Sequence, residues 1–520
     1  MFKNHPKGLL TAALSNMGER FGYYIMNAVL VLFLCSKFGL SEAASGTIYS
    51  FFYAGIYILS LVGGLIADRT QNYKGTIKTG LVVMAIGYII LSVPILATSQ
   101  NTTWLLTLTC VALFLIAFGN GLFKGNLQAI VGQMYDNFEA EAAKQGPEAL
   151  KIAKDKRDSG FQIFYVFINV GGLIAPFIAP VLRQWWLGVN GLSYNAQLPA
   201  LCHEYVNNAA NMAPEALANL QQLMTAAGGA ITDMTASCLQ YLQIFNEGIH
   251  YSFIASVAAM LISLVIFFVS QKTFPNPAKK AAAQSVTYTA EEKAAMAKEI
   301  KQRMYALFAV LGIVIFFWFS FHQNGLTLTY FAKDYTRLSI GSLGLSAEIF
   351  QSMNPFFVVF LTPLVLAFFG MMRARGKEPS TPAKIAIGMG IAAVAYVVMM
   401  LGSLGVPPAA EVERMGGLSE AQRVTPFLLI GTYLILTVAE LFISPLGISF
   451  VSKVAPPQYQ GIMQGAWLGA TAVGNQLLFI GAIFYETIPI WMTWGVFVAV
   501  CLISMTVMFA MLRWLNRITK

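Results

Sequence analysis

Twelve stretches of roughly 20 predominantly apolar residues recur along this chain, and that is the length a helix needs to cross a hydrocarbon layer about 30 Å thick. They fall near 8–36, 44–69, 76–97, 103–134, 158–186, 247–271, 302–333, 344–371, 382–403, 424–452, 458–485 and 488–515. Only 11% of the 520 residues are charged, against about 25% in soluble proteins, so a soluble chain of several domains is excluded. Collagen, coiled coil, disordered tail and disulfide scaffold fall with it. The pattern predicts an all-α polytopic membrane protein, with the bilayer as its first partner.

A net charge of +9 raises the question of nucleic acid, and the placement of the cations answers it. With the cations at span ends counted with the segments they adjoin, 25 of the 33 Lys and Arg lie on one side. Six lie on the other (Lys37, Arg183, Lys333, Arg337, Arg414 and Arg423), and two, Arg20 and Lys124, lie deep within spans. That bias predicts both termini in the cytoplasm and no nucleic-acid partner. The first apolar run exceeds the core of a cleavable leader and is interrupted by charge, so it reads as a retained span.

The outside loop 187–246 includes Pro214-Glu215-Ala216-Leu217, which predicts a small helical cap. Cys202 and Cys238 both fall there, a candidate disulfide in an oxidising compartment, with two free thiols as the alternative. The inside stretch 273–301 begins Pro275-Asn276-Pro277 and offers Thr289 with Glu292 three residues on, a capping-box start for a charged helix. The expected organisation is therefore a six-helix bundle over 1–271, a cytoplasmic linker over 272–301 and a second six-helix bundle over 302–520. Discounting the cap, the halves are of similar length. Two such halves form a secondary transporter, with its site at their interface near the membrane midplane.

Few ionisable groups sit deep in the spans: Glu19, Arg20, Lys124, His322 and Glu440. A charge at a helix centre costs about 2.5–3.5 kcal/mol on insertion scales, so each needs a partner or a wet cavity. Two acids balance two bases and both halves contribute, which predicts one shared chamber. Asn16, Glu19, Arg20, Tyr23 and Asn27 recur on one helical face, as do Gln162, Tyr165 and Asn169; Gln351 and Asn354 are a turn apart, as are Glu440 and Ser444. For a lone Asn or Ser the plainer reading is hydrogen-bonded helix packing.

Arg20 and Lys124 suit a carboxylate, Glu440 suits an ammonium, and Tyr24, Tyr57, Trp318 and Trp467 offer aromatic walls. A small zwitterion fits such a chamber, and its acids can carry protons. An intramembrane enzyme built on His322 lacks support, because His5, His203 and His250 are scattered and no nucleophile or metal-ligand spacing accompanies it. No metal and no cofactor are expected. A receptor or channel is also less well matched by balanced buried charges.

The run Asn16-Met17-Gly18-Glu19-Arg20-Phe21-Gly22-Tyr23-Tyr24 resembles the first-helix signature of the proton-dependent oligopeptide transporter family, a branch of the major facilitator superfamily. In the first half, Gly64-Leu65-Ile66-Ala67-Asp68-Arg69, Gly119-Asn120-Gly121-Leu122-Phe123-Lys124 and Phe164-Tyr165-Val166-Phe167-Ile168-Asn169 are similar in order. Gln351-Ser352-Met353-Asn354-Pro355 and Glu440-Leu441-Phe442-Ile443-Ser444-Pro445 follow in the second. The resemblance implies a cell-membrane carrier, functional as a monomer, that imports di- and tripeptides with protons by alternating access. By family pattern Glu440, Asn169 and Asn354 would hold the peptide amino end, Lys124 and Arg20 the carboxyl end, and Tyr24, Tyr57, Trp318, Ser444 and Trp467 the pocket. Tyr23, Asn27 and Tyr165 join them as candidates from the polar stripes.

Glu19, His322 and Glu440 are the candidate proton carriers, and Asp68 resembles a cytoplasmic-gate aspartate able to face a helix N-terminus. Its other reading is an ordinary helix-end charge. The sequence departs from the family at Asn16, where a glutamate is usual, at Asn27, where a cation is usual, at Gly125, where proline is usual, and at His322, where an acid is usual. His322 either titrates in place of that acid or serves as a neutral hydrogen-bonding gate residue. The rival cargo is a nitrate-like anion or a peptide-like drug on the same fold.

Overall fold

The computed structural model describes residues 5–70, 72–275, 290–454 and 460–518. In the first half the helices are α1 (Leu9–Phe38), α2 (Glu42–Thr70), α3 (Tyr73–Ser92), α4 (Thr102–Ala143), α5 (Pro147–Val189), α6 (Leu198–Asn208), α7 (Pro214–Ala226) and α8 (Met234–Ser270). In the second they are α9 (Ala290–Phe321), α10 (Thr327–Tyr335), α11 (Met353–Ala374), α12 (Thr381–Gly402), α13 (Ala409–Met415), α14 (Pro426–Val454), α15 (Gln460–Gln476), α16 (Leu478–Thr487) and α17 (Ile490–Ile518). Twelve spans among them are long and apolar enough to cross a membrane. α1 to α5 and α8 pack into one bundle, and α9, α11, α12, α14, α15 and α17 pack into another.

Spans built from apolar helices satisfy their backbone internally, which hydrocarbon demands. Side chains such as Phe51, Leu61, Phe114, Val265, Phe268 and Leu364 are exposed on the outside, as lipid-facing residues should be. α8 begins 13 residues earlier than hydropathy predicts, because its first turns pack under the cap. Its start is capped by Asp233, whose carboxylate accepts from the Ala236 N–H at 3.0 Å. The cap proper is α6 and α7, with Leu201, Cys202, Ala216, Leu220 and Met224 buried beneath it. Cys202 and Cys238 are both fully buried there as free thiols. The capping box at Thr289 lies outside the described residues.

Two spans drawn as continuous are broken. α9 stops at Phe321, His322–Gly325 forms a 3-10 turn, and α10 resumes at Thr327. Facing it, the span of α15 and α16 breaks at Leu477. The freed backbone groups find partners across the break, since Gln323 Nε2 donates to the Leu478 carbonyl at 3.3 Å and the Tyr433 hydroxyl donates to the Asn324 carbonyl at 2.5 Å. Irregular backbone at membrane depth is tolerated where it lines a cavity or is buried in protein.

Candidate functional site

A cavity of about 570 Å³ lies between the two bundles at the level of these breaks. It falls within the usual size of small-ligand sites, roughly 300–1,000 Å³. Arg20, Tyr23, Tyr24 and Asn27 reach it from α1, Tyr57 from α2, Lys124 from α4, Asn169 from α5, His322 from the broken α9–α10 span, Asn354 from α11, Glu440 from α14 and Trp467 from α15. Both halves therefore contribute to one chamber.

Its electrostatics differ from a simple pairing of Lys124 with Glu440. Lys124 stands with its ammonium 4.9 Å from the centre of the Tyr57 ring, and among the described residues no ion pair holds it. Glu440 accepts from Asn354 Nδ2 at 2.8 Å, an amide that also donates to Thr437 Oγ1 at 3.0 Å. A neutral amide orients the carboxylate and leaves its charge in place. Lys124 and Glu440 thus face one cavity, with no ion-pair partner for either among the described residues.

The other pair is closed. Arg20 Nε donates to Glu19 Oε2 at 2.6 Å and Nη2 to Oε1 at 2.8 Å. Glu19 is fully buried and is absent from the cavity lining, so the stripe Asn16–Asn27 splits: Arg20 looks in, and Glu19 anchors it from behind. Trp318 likewise lies behind the wall, stacked on His322 with ring centres 4.9 Å apart, and Ser444 is not among the lining residues either. The side chains of Asp68 and Tyr165 lie outside the described residues.

His322 is clamped between bundles. Tyr53 of α2 lies against it at 4.9 Å, and Asn475 Oδ1 accepts from its Nδ1 at 2.5 Å. That bond assigns the proton to Nδ1 and leaves Nε2 as the acceptor. Tyr53 and Asn475 escaped the sequence reading, although Tyr49, Tyr53 and Tyr57 recur every four residues and so mark one aromatic face of α2.

Above the cavity, at the cap end, the halves are tied together. Arg183 of α5 donates to Glu348 at 2.5 Å, and both side chains are almost wholly buried. Lys333 donates to Glu42 at 2.9 Å and approaches Asp334 at 3.2 Å, while the Ala43 N–H donates to Glu486 at 2.7 Å. The cap adds its own tie, from Asn219 to the Gly416 carbonyl beside α13. Arg183 had been counted as a loop cation, yet it lies 14 residues beyond Asn169, with Pro176 midway. That spacing of seven keeps all three on the face turned to the other half.

The POT family profile (PTR2) matches residues 74–291 and 278–490, and these segments cover most of the chain. The chain belongs to the POT family. The protein is similar to the peptide transporter YePEPT of Yersinia enterocolitica, 26% identical over 497 residues that cover 91% of this chain and 87% of the relative. It is also 26% identical to dipeptide and tripeptide permease A of Escherichia coli, over 90% of this chain and 82% of that one. Its fold matches a crystal structure of a peptide transporter POT in complex with sulfate, with a TM-score of 0.72 at 22% identity over 100% of this chain and 96% of the other. A POT family transporter in complex with 5-aminolevulinic acid matches with a TM-score of 0.70 at 19% identity, covering 100% and 98%. The fold is that of the major facilitator superfamily, and this POT-family member is a multi-pass protein of the cell membrane.

Proposed function

We propose that this protein imports di- and tripeptides together with protons, working as a monomer by alternating access with both termini in the cytoplasm. The observation that carries the reading is the placement of Lys124 and Glu440, which come from opposite bundles, line one cavity, and have no ion-pair partner among the described residues. A short peptide is a zwitterion. Its ammonium suits Glu440 beside Asn354 and Asn169, its carboxylate suits Lys124 and Arg20, and its side chains suit the tyrosine face of α2 and Trp467. Binding both ends draws the halves together, which is how substrate lowers the cost of closing the terminus end.

Proton coupling rests on Glu440 and His322. Both groups line the cavity that would hold the peptide, so a proton and a peptide bound there influence each other's affinity. His322, with Nδ1 committed to Asn475, offers Nε2 to a proton. Glu19 is sealed by Arg20 and exchanges a proton only if that pair opens. Membrane potential contributes about 2.3 kcal/mol per charge per 100 mV to the inward step. The ion pairs at the cap end hold the outer gate shut in this conformation, and Asp68 belongs to the inner one.

Proteoliposomes with a pH dye inside test the reading. Dialanine added outside is expected to acidify the lumen, and labelled dialanine to accumulate until a protonophore collapses the gradient. Uptake that ignores the protonophore would remove the coupling, and an absence of dipeptide uptake would remove the cargo.

A further inference from the structure

Asn120 sits one turn before Lys124 on α4 and is completely buried behind the cavity wall. Its flanking glycines determine where it points. A Cβ at Gly119 would come within 2.5 Å of the Gly80 carbonyl oxygen on α3, and one at Gly121 within 2.5 Å of the Leu59 carbonyl oxygen on α2. Both neighbours therefore pack backbone to backbone on either flank of α4, which only glycine permits, and the residue between them is presented to α1. There Asn120 Nδ2 donates to Glu19 Oε1 at 2.7 Å.

Glu19 and Arg20 are consecutive, and consecutive helical side chains diverge by about 100°. Their two-point grip requires both to bend round the helix, and within α1 the Tyr23 ring lies 4.9 Å from the guanidinium carbon of Arg20. Asn120 supplies the third point, from a different helix. With Nε and one Nη2 hydrogen spent on Glu19, the guanidinium retains three N–H donors for the cavity. The Tyr88 hydroxyl of α3, buried without a hydrogen-bond partner, lies within electrostatic reach of both charges. The cluster ties α1 to α4, the helix that carries Lys124.

We propose that Asn120 is a positioning residue for carboxylate recognition: by fixing Glu19 it aims Arg20 into the cavity, and so sets affinity for the carboxyl end of the substrate. The inference rests on the peptide reading above and extends it to a residue that never meets the ligand.

The test is competition for labelled dialanine uptake by unlabelled dialanine and by its C-terminal amide, in wild type and Asn120→Ala. A hydrogen bond to a charged group is strong enough that its loss should raise the inhibition constant of the free peptide about tenfold. The amide's constant should stay within about twofold. Asn120→Asp, which sets a second carboxylate against Glu19, should reproduce the selective loss, and Asn120→Ser serves if Asn120→Ala does not accumulate. Equal shifts for peptide and amide, or none, would overturn the proposal. A wild type that takes up no peptide would instead overturn the functional reading beneath it.

Discussion

At the scale of residues, the cavity separates groups that meet the ligand from groups that aim them. Glu440→Gln keeps the shape and the Asn354 contact while removing the charge. It is expected to abolish concentrative uptake while leaving the fold intact, measured as dialanine accumulation against thermal stability in detergent. His322→Gln keeps a hydrogen-bonding group beside Asn475 and removes the titration. If His322 carries a proton, the pH profile of uptake is expected to change in this variant, whereas an unchanged profile would assign His322 a purely structural gate role. The polar stripe of α1 was legible as a stripe because charge in an apolar helix has no cheap explanation. Which member faces the cavity was not, since Glu19 and Arg20 are adjacent and the hydrogen bond that holds Glu19 comes from Asn120 on another helix.

At the scale of elements, two features escaped hydropathy. The breaks at His322–Gly325 and Leu477 sit within apolar windows, so span length alone drew them as straight helices, although the polar run His322-Gln323-Asn324-Gly325 was visible. The outer ion pair Arg183–Glu348 was hidden because both residues lie at span ends, where charge is ordinary. Breaking one partner of a buried pair costs about 3–5 kcal/mol, while replacing both is far milder. Arg183→Ala is therefore expected to lower the melting temperature more than Arg183→Met with Glu348→Leu, and equal losses would show that the pair is not buried in the dominant state. At the cap, Cys202 and Cys238 are both buried as free thiols. A non-reducing peptide map of protein from an oxidising compartment is expected to show them joined, and complete alkylation of both would rule the bond out.

At the scale of the whole molecule, twelve spans and their grouping into two bundles followed from run length and the symmetry of the halves, because the bilayer leaves the backbone few options. The meeting of the halves could be inferred only from charge balance, and its detail differs: Lys124 and Glu440 line the same cavity without an ion pair between them among the described residues. The account stands on that arrangement. The most direct measurement is inhibition of labelled dialanine uptake by N-acetyl-dialanine and by dialanine amide in wild type, Lys124→Gln and Glu440→Gln, with detergent binding in place of uptake where transport is lost. The account predicts that Glu440→Gln no longer discriminates against the blocked amino end and Lys124→Gln no longer discriminates against the blocked carboxyl end, each keeping the other preference. Wild-type discrimination at both ends in both variants would contradict it.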